Sequence, residues 1–233
     1  MRQMTYMENH KQYTEELSAL DLVAFKPFTL RELFFKRVID IVGGLVGTLL
    51  FFITFVILFI PYHLSAKKDR GPMLYKQRRY GYHGKVFYIW KFRTMIVDAE
   101  DYLEIHPDVK EKYLQSGNKL PNDPRITRLG SFIRNRSIDE LPQFINILKG
   151  DMSLVGPRPI LDFERREYGN RTNYLWMCRP GITGYWVTHG RSKILYPKRA
   201  ELELKYLRLH GFLFDLLLIL QTIVQTFNGS DAY

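Results

Sequence analysis

The chain has 233 residues, of which 46% are hydrophobic and 25% are charged. These values suit a protein that buries a core, and they exclude a wholly disordered or low-complexity chain. The single cysteine, Cys178, excludes an internal disulfide and a cysteine-rich zinc site, and it fits a reducing cytoplasmic setting. The net charge of +10 indicates an anionic partner, such as nucleic acid, acidic lipid or a phosphorylated substrate.

A polar segment and then an apolar one open the chain. Residues 1–33 are mixed in charge and lack the features of a signal peptide, so we predict an accessory extension with a short surface helix at 15–20. Residues 41–60 contain no charge. As an α-helix they would extend about 30 Å, the thickness of the hydrocarbon core of a bilayer. We predict a membrane-embedded helix over residues 34–64, because a chain of this size has little interior in which to bury such a helix.

Basic side chains flank the apolar segment on both sides. Lysine and arginine accumulate on the cytoplasmic side of membrane segments. A re-entrant helix, which enters one leaflet and returns, would leave both flanks in the cytoplasm, and Pro61 could bend it. A single span oriented by the larger C-terminal cluster is the alternative. The flanking residues are Lys26, Arg31, Lys36 and Arg37 before the segment and Lys67, Lys68, Arg70, Lys76, Arg78 and Arg79 after it.

Residues 65–227 are predicted to form one globular domain, so the fold class is α+β and mainly helical. The strand is predicted from β-branched and aromatic residues, and the helices from apolar spacing and from a glycine that ends one of them. The predicted elements are a strand over 86–93, helices over 98–113 (interrupted at His106 and Pro107), 129–136 and 141–148 (ended by Gly150), loops over 118–124 and 153–159, and a turn over 180–184.

The last predicted element is an amphipathic helix over residues 212–227. At 3.6 residues per turn, its polar residues share one side, and leucine, isoleucine and phenylalanine cover most of the rest. Such a helix can lie in the membrane interface or pack against the domain core, and the pattern suits both alternatives. The polar residues are Asp215, Gln221, Thr222, Gln225 and Thr226.

The most informative short motif is Ser-Ile-Asp-Glu-Leu-Pro at residues 137–142. Pro142 suits the first turn of a helix, and Ser137 and Glu140 have capping-box spacing. Either feature places Asp139 and Glu140 at a helix N-terminus, where the macrodipole and free N–H groups stabilise negative charge. Adjacent carboxylates can divide the work of attacking phosphorus and of binding metal or moving a proton. A plain helix cap is the alternative.

Basic residues surround this motif and suit a diphosphate, since guanidinium groups match phosphate oxygens. Lys91 and Arg93 lie two residues apart on the predicted strand, so both side chains point to one face. That face could line a pocket or a membrane-facing rim, and a solvent-exposed edge strand is the alternative. Arg158 is fixed between Pro157 and Pro159, which reduces the entropy that it loses on binding an anion. Upstream of the motif lie Arg125, Arg128, Arg134 and Arg136, for which a solvated basic face is the alternative.

The motifs of other enzyme classes are missing from the sequence, which has no Walker loop, no GxGxxG and no HExxH. In an oxygen-rich site that holds phosphates, the expected metal is Mg²⁺, bound by one or two carboxylates and by substrate oxygens.

Several motifs together resemble the bacterial sugar transferases, the monotopic phosphoglycosyl transferases that start capsule, exopolysaccharide and glycoconjugate synthesis. The resemblance extends over about residues 34–226, and the order of the motifs makes it specific. The motifs lie at residues 35–40, 71–77, 91–95, 123–127, 137–143, 150–159 and 180–184.

The resemblance implies transfer of a sugar-1-phosphate from a UDP-sugar to a polyprenyl phosphate, with release of UMP. It implies a covalent intermediate on Asp139, with Glu140 as its partner and Mg²⁺ bound by both. It also implies membrane lipids as partners, a position on the cytoplasmic face of the cell membrane, and a small cytoplasmic catalytic domain, and it permits a homo-oligomer. The remaining candidate residues are Lys91, Arg93, Arg125, Arg134 and Arg158 for substrate phosphates, and Pro157, Pro159, Thr183 and Arg191 for nucleotide or loop contacts.

One departure from the family pattern concerns the membrane helix. The family breaks this helix with a central proline, whereas residues 51–54 here are Phe-Phe-Ile-Thr and the nearest proline is Pro61. Two other functions compete with the transferase. One is a membrane-anchored nucleic-acid binder, which the positive charge and the interleaved aromatic residues would serve, although no nucleic-acid motif supports it. The other is a non-catalytic assembly component, against which the intact acidic motif argues.

Overall fold

The structure is a computed structural model that describes residues 25–65, 69, 71–115, 120, 122–191 and 194–227. The predicted α+β fold with a majority of helix is confirmed in this part of the chain. The surface helix expected at 15–20 lies outside the described residues.

Helix α1, Leu30–Leu64, is the longest element. It starts four residues before the predicted boundary, because Thr29 and Glu32 form a capping box in which the Thr29 hydroxyl accepts from the Glu32 backbone N–H at 3.2 Å. Its 35 residues extend about 52 Å at 1.5 Å each. The helix is continuous through residues 51–54, and Pro61 lies in its last turn. It is long and apolar enough to cross a membrane, and re-entry stays a prediction.

One stripe of α1 packs against the domain. Its two closely spaced glycines serve this contact: a Cβ on Gly43 would lie 2.6 Å from the Leu154 side chain, and one on Gly47 would lie 2.1 Å from Phe144. The GxxxG spacing therefore permits close packing on the protein's own domain. The buried residues of the stripe are Lys36, Asp40, Gly44, Gly47, Phe51 and Leu58.

The domain begins with an antiparallel hairpin. Strand β1, Leu74–Tyr80, pairs with β2, Val86–Phe92, in a register that joins Leu74 to Phe92 and Tyr80 to Val86. The prediction of β2 is confirmed to within one residue. Strand β1 was not expected, because four of its seven residues are polar or charged.

Short helices follow the hairpin much as predicted. The interruption expected at Pro107 separates α2 from α3, and Gly150 ends α5 with a φ of 87°, a left-handed conformation that glycine adopts without strain. The helices are α2 (Ala99–Ile105), α3 (Pro107–Gln115), α4 (Arg128–Arg134) and α5 (Gln143–Lys149).

Two segments predicted as a loop and a turn instead pair as strands. Strand β3, Ser153–Val155, runs parallel to β4, Gly181–Thr183. Three residues are too few to show the alternation by which a strand is recognised. The glycines here permit close backbone approach, since a Cβ on Gly181 would lie 2.1 Å from the Gly156 nitrogen.

Three helices in the second half of the domain were also not predicted. They are α6 (Thr172–Leu175), α7 (Tyr185–Thr188) and α8 (Lys198–Leu209). Helix α8 carries buried Leu204, Tyr206 and Leu207 into a core shared with Val155 and Ile160.

Helix α9, Phe212–Phe227, has the predicted bounds. Its polar side faces the domain: the Thr222 and Thr183 hydroxyls lie 2.5 Å apart, and Gln225 Nε2 donates to the Thr188 carbonyl at 2.9 Å. The outward side is apolar and exposed. Packing against the domain is thus confirmed, and a membrane contact stays a prediction. The exposed residues are Leu213, Leu217, Leu220, Ile223 and Val224.

Buried polar contacts fix α1 to the elements that carry the acidic motif. Lys36 Nζ donates to the Val155 carbonyl at 2.6 Å and to Asp215 Oδ2 at 2.7 Å, which joins α1 to β3 and α9. Asp40 Oδ1 accepts from the Ser153 hydroxyl at 2.8 Å. Arg37 donates to two carbonyls at the end of α5. The domain is therefore built along the helix.

Candidate active site

The two carboxylates of the 137–142 motif, Asp139 and Glu140, are called the acidic pair below. They lie in a 3-10 turn, Ile138–Glu140, two residues before α5 begins at Gln143. The capping box predicted for Ser137 and Glu140 is not formed. The Glu140 N–H donates to the Ser137 carbonyl at 3.2 Å, as a tight turn requires, and Ser137 has a left-handed backbone with no side-chain cap.

Lys91, the penultimate residue of β2, connects the acidic pair. Its Nζ lies 3.5 Å from Asp139 Oδ2 and 3.1 Å from Glu140 Oε1. All three side chains are largely buried, so this charge interaction is screened less than one at the surface. The electrostatic support that we expected from a helix macrodipole therefore comes from a lysine.

The same surroundings act differently on the two carboxyl groups. Burial raises the pKa of Asp139 above its ordinary value, and Lys91 only partly offsets this effect. Burial would also raise the pKa of Glu140, but Lys91 and then Arg158 outweigh it and hold that pKa at about 2. Glu140 is therefore a permanent anion at neutral pH, while Asp139 is a weaker acid than an exposed aspartate.

One oxygen of Asp139 is free for chemistry. Asp139 is 5% exposed, and its Oδ1 has no hydrogen-bond partner among the residues that the structure describes. Most buried carboxylate oxygens are satisfied, and an unsatisfied one is costly. An oxygen of this kind can attack an electrophile or bind a cation without first breaking a hydrogen bond.

Arg158 is a second basic residue near the acidic pair. Its Nη1 lies 4.0 Å from Glu140 Oε1, and its guanidinium lies 5.6 Å from the centre of the Trp186 ring. Its backbone N–H donates to Glu203 Oε2 at 2.9 Å. The flanking Pro157 is buried, and its carbonyl accepts from the Gly181 N–H at 2.8 Å.

Two further predicted residues lie around the acidic pair. Arg191 Nη2 is 3.4 Å from the Ser137 hydroxyl, and its charge helps to lower the pKa of Glu140. Arg134 opposes the rise in the pKa of Asp139. Thr183 lies on the wall of the adjacent cavity, with its hydroxyl directed at Thr222.

Two other predicted arginines have partners away from the acidic pair. Strand β2 ends at Phe92, and Arg93 Nε donates to the Pro72 carbonyl at 2.9 Å. Arg125 makes a two-pronged ion pair with Asp123, at 2.9 and 2.6 Å. That these two residues bind phosphate stays a prediction.

A cavity lined by Glu140 and Lys91 lies next to Asp139. Sequence reasoning missed two charged residues in its wall, Arg79 and Glu203. The first was one of many basic residues that flank the apolar segment, and the second lies in the unpredicted α8, so no local motif marked either. The lining includes Arg79, Lys91, Glu140, Gln143, Gly156, Arg158, Pro159, Thr183 and Glu203.

The acidic pair suits Mg²⁺ in combination with a substrate. The described part of the chain contains no group of three or more His, Cys, Asp or Glu residues that could bind a metal alone. Mg²⁺ is commonly held by one or two carboxylates together with substrate phosphates. The carboxylates of Asp139 and Glu140 match that requirement.

Comparison with known proteins covers nearly the whole described chain. A family model for bacterial sugar transferases matches residues 31–229. The undecaprenyl-phosphate galactose phosphotransferase of Salmonella typhimurium is 36% identical over 203 residues, which are 86% of this chain and 42% of that protein. The UDP-glucose:undecaprenyl-phosphate glucose-1-phosphate transferase of Klebsiella pneumoniae is 33% identical over 230 residues, 94% and 46% of the two chains. The exopolysaccharide production protein ExoY of Rhizobium meliloti is 36% identical over 202 residues, 85% and 88% of the two chains.

The extent of these matches differs between the relatives. This chain spans less than half the length of the first two and most of the third. The family match includes the acidic pair, Lys91, Arg158 and the whole of α1 except its first residue. On this match, the chain belongs to the bacterial sugar transferase family.

Proposed function

We propose that the chain is a phosphoglycosyl transferase that moves a sugar-1-phosphate from a UDP-sugar to polyprenyl phosphate and releases UMP. One observation carries the proposal: a buried carboxylate with an unpaired oxygen, Asp139, lies 3.5 Å from Lys91, and Lys91 lines a cavity with basic walls. The names of two relatives support it, one a UDP-glucose:undecaprenyl-phosphate glucose-1-phosphate transferase and the other an exopolysaccharide production protein. The product would start the synthesis of an exopolysaccharide or a related glycoconjugate.

In the first step, Asp139 Oδ1 attacks the phosphorus atom that carries the sugar. A bond forms from phosphorus to this oxygen, the bond from phosphorus to the UMP oxygen breaks, and its electron pair leaves with UMP. The carboxylate and the diphosphate are both anions and repel each other. Lys91 at 3.5 Å reduces that repulsion, and Arg158 is placed to bind charge on the departing phosphate.

In the second step, an oxygen of the polyprenyl phosphate attacks the same phosphorus. The bond to Asp139 breaks, and the carboxylate is restored. Lys91 and Arg158 lower the pKa of Glu140, so this carboxylate is ionised near neutral pH. Its charge holds the cations of the site, including Lys91 at 3.1 Å.

Mg²⁺ would be held by Asp139, Glu140 and the diphosphate oxygens. When bound, it supplies positive charge that stabilises the departing phosphate. The chain's own residues keep the other tasks: Lys91 sets the ionisation of the acidic pair, and the turn at 138–140 holds Asp139 next to Glu140, which lines the cavity.

We further propose that the protein lies on the cytoplasmic face of the membrane with α1 re-entrant in one leaflet. Lys36 near the start of α1 and Tyr62 near its end both bind the same domain, through Asp215 and the Arg93 carbonyl. These positions are 26 residues apart, about 39 Å along the helix. A domain in water cannot follow a helix across a bilayer, so contact at both ends supports placement on one side. The apolar outer faces of α1 and α9 would contact lipid.

Labelling of single cysteines tests this topology. Leu30 and Leu64, at the two ends of α1, are exposed, and the native Cys178 is buried. In a Cys178→Ser background, Leu30→Cys and Leu64→Cys should react with an impermeant maleimide from the same face of sealed vesicles. Reaction from opposite faces would contradict re-entry and leave a single span.

Release of UMP tests the reaction. The purified protein is incubated with a panel of UDP-sugars and Mg²⁺, with and without undecaprenyl phosphate. We expect one stoichiometric burst of UMP without the lipid and continuous turnover with it, for one or a few of the sugars. Asp139→Asn should give neither, because an amide cannot form the acyl phosphate. A variant that turns over normally would disprove the proposed role of Asp139.

A further inference from the structure

A second group of charges lies in the wall of the cavity, which includes Arg79, Arg158 and Glu203, and directly beside it. Arg79, Arg158 and Arg199, called the arginine cluster, converge there on two carboxylates. Arg79 comes from β1, Arg158 from the loop after β3, and Arg199 from α8. The carboxylates belong to Glu164 and Glu203. The catalytic steps above use only Arg158 of this group.

Arg79 is the central member. It is 4% exposed, lines the cavity, and donates to Gln77 Oε1 at 2.5 Å. Its Nη1 lies 3.5 Å from Glu164 Oε2, too far for a strong hydrogen bond, and its Nε and Nη1 have no hydrogen-bond acceptor in the described ranges. Burial and the charge of Arg158 lower the pKa of Arg79 to about 10, so it stays charged at neutral pH.

Arg199 repeats this pattern at the other oxygen of Glu164. Its Nη1 lies 3.5 Å from Glu164 Oε1, while Nε and Nη2 are buried without an acceptor as far as the structure describes the chain. Its guanidinium lies 4.3 Å from the Trp186 ring centre and 4.7 Å from that of Tyr196. These rings hold the guanidinium in place without using its donors.

The carboxylates leave several donors of this cluster unsatisfied. The Arg158 guanidinium lies beside Glu140, so Glu164 and Glu203 are left mainly to Arg79 and Arg199. Glu203 is buried, its Oε1 has no partner among the described residues, and desolvation raises its pKa to about 7, so near neutral pH it is partly uncharged. Buried, unsatisfied guanidinium donors are costly in an unliganded protein, which indicates that an anion completes them.

We propose that the arginine cluster is a single subsite for a phosphate monoester dianion, occupied first by the departing nucleoside monophosphate and then by the lipid phosphate acceptor. The unsatisfied guanidinium donors of Arg79 and Arg199 match the oxygens of such a group. The inference rests on the proposed function, in which one phosphate monoester, UMP, leaves the phosphorus atom and a second, polyprenyl phosphate, then attacks it.

The chemistry of the two steps explains why one subsite serves twice. UMP departs with the oxygen that bridged it to the sugar phosphate. The polyprenyl phosphate then attacks the same phosphorus through an oxygen of the same kind of group. Both therefore approach from the side of the phosphorus away from Asp139. Lys91 and Glu140 line the same cavity as Arg79 and Glu203, which suits this arrangement.

Competition between two probes tests the inference in the wild-type chain. UMP and farnesyl phosphate are titrated by calorimetry into full-length protein in detergent, each alone and each in the presence of the other. Uridine and farnesol serve as controls that lack the phosphate. We expect each phosphate to displace the other competitively. Simultaneous binding with unchanged affinities would overturn the proposal.

Variants of the cluster give a second, independent readout. Arg79→Gln and Arg199→Gln should each weaken UMP and farnesyl phosphate by a similar factor, roughly 10- to 100-fold, since each removes charged hydrogen bonds to the anion. Arg166→Gln is the matched control, because Arg166 lies in the same region and its side chain is 76% exposed. If Arg79→Gln does not fold, the affinities of Arg199→Gln and the competition between UMP and farnesyl phosphate still test the proposal. Loss of affinity for only one of the two probes, or for neither, would overturn shared use.

The binding result is separable from the proposed reaction. Neither probe carries a transferable sugar phosphate, so no covalent step is needed. Competitive binding without any adduct on Asp139 would contradict the proposed reaction alone. An adduct on Asp139 with no competition would contradict the shared subsite alone.

Discussion

Replacement of Lys91 by methionine should move the pH dependence of the first step upwards. Lys91 Nζ is 3.5 Å from Asp139 Oδ2, and two unit charges at that distance attract by roughly 5 kcal/mol at an effective dielectric constant of about 20. That figure is an upper bound, because partial exposure screens the pair. An opposite charge at this range typically lowers a carboxyl pKa by about 1 to 3. Removal of the cation should therefore raise the pKa of Asp139 by about that much beyond the rise that burial already causes.

The sign follows from the state that reacts. Asp139 attacks as the carboxylate, so a higher pKa means that a higher pH is needed for the same rate. Burst release of UMP, measured from about pH 5 to pH 9 without lipid acceptor, should show its midpoint shifted up by roughly 1 to 3 pH units in Lys91→Met. Near neutral pH the burst rate should fall by about tenfold or more. Lys91→Arg should restore most of the wild-type profile.

The control for this experiment is Lys85→Met, since Lys85 is exposed on the same hairpin. It should leave both midpoint and rate unchanged. An unshifted midpoint in a folded Lys91→Met protein would refute the claim that Lys91 sets the ionisation of the nucleophile. Its role would then be limited to substrate binding.

Three further predictions concern Arg158, the core and α1. Arg158→Ala should weaken catalysis by roughly 2 to 4 kcal/mol in kcat/KM for UMP release, because the arginine faces charge in a site shielded from water; unchanged kinetics would limit it to a structural role. Glu203 has a pKa of about 7 in the folded protein, against an ordinary value of 4.5. Between these two pH values the folded state binds more protons than the unfolded state, so the free energy of unfolding falls as the pH rises, by about 3 kcal/mol in all. Glu203→Gln should flatten this fall in thermal unfolding at pH 5 and pH 8, and a slope like that of wild type would contradict the assignment. Gly47→Leu should collide with Phe144 and lower the melting temperature, at a cost of roughly 1 to 3 kcal/mol, whereas Val46→Leu on the exposed side should not.

The features that sequence reasoning recovered depend on local pattern. The long apolar run predicted α1, the aromatic and β-branched run predicted β2, and the 3.6-residue period predicted α9 with its bounds. The polar side of α9 illustrates a limit of the method. Periodicity separates the two sides of a helix, but it does not say that the polar side faces inward, where it bonds Thr183 and Thr188.

The features that sequence reasoning missed depend on partners distant in the chain. Strand β1 is stabilised by β2 and the core beneath it, which outweigh the low strand propensity of its charged residues. The pairing of β3 with β4 joins segments about 28 residues apart. Arg79 and Glu203 enter the cavity from β1 and α8, neither of which was predicted, so no spacing in the sequence could bring them together.

Sequence reasoning identified the correct residues of the acidic pair, but the physical argument for them was incomplete. Its residues are those expected, but a 3-10 turn and Lys91 take the place of a capped helix. The prediction relied on the local spacing of Ser137 and Glu140. The lysine that matters is 48 residues upstream of Asp139, and only the folded hairpin brings it near.

Mass spectrometry of the protein after incubation with a UDP-sugar alone tests the central claim most directly. The account predicts that the intact mass increases by one phosphosugar, that fragmentation places it on Asp139, that undecaprenyl phosphate removes it, and that Asp139→Asn never acquires it. An unmodified protein that releases UMP only when the lipid phosphate is present would contradict the account and indicate direct transfer between the two substrates.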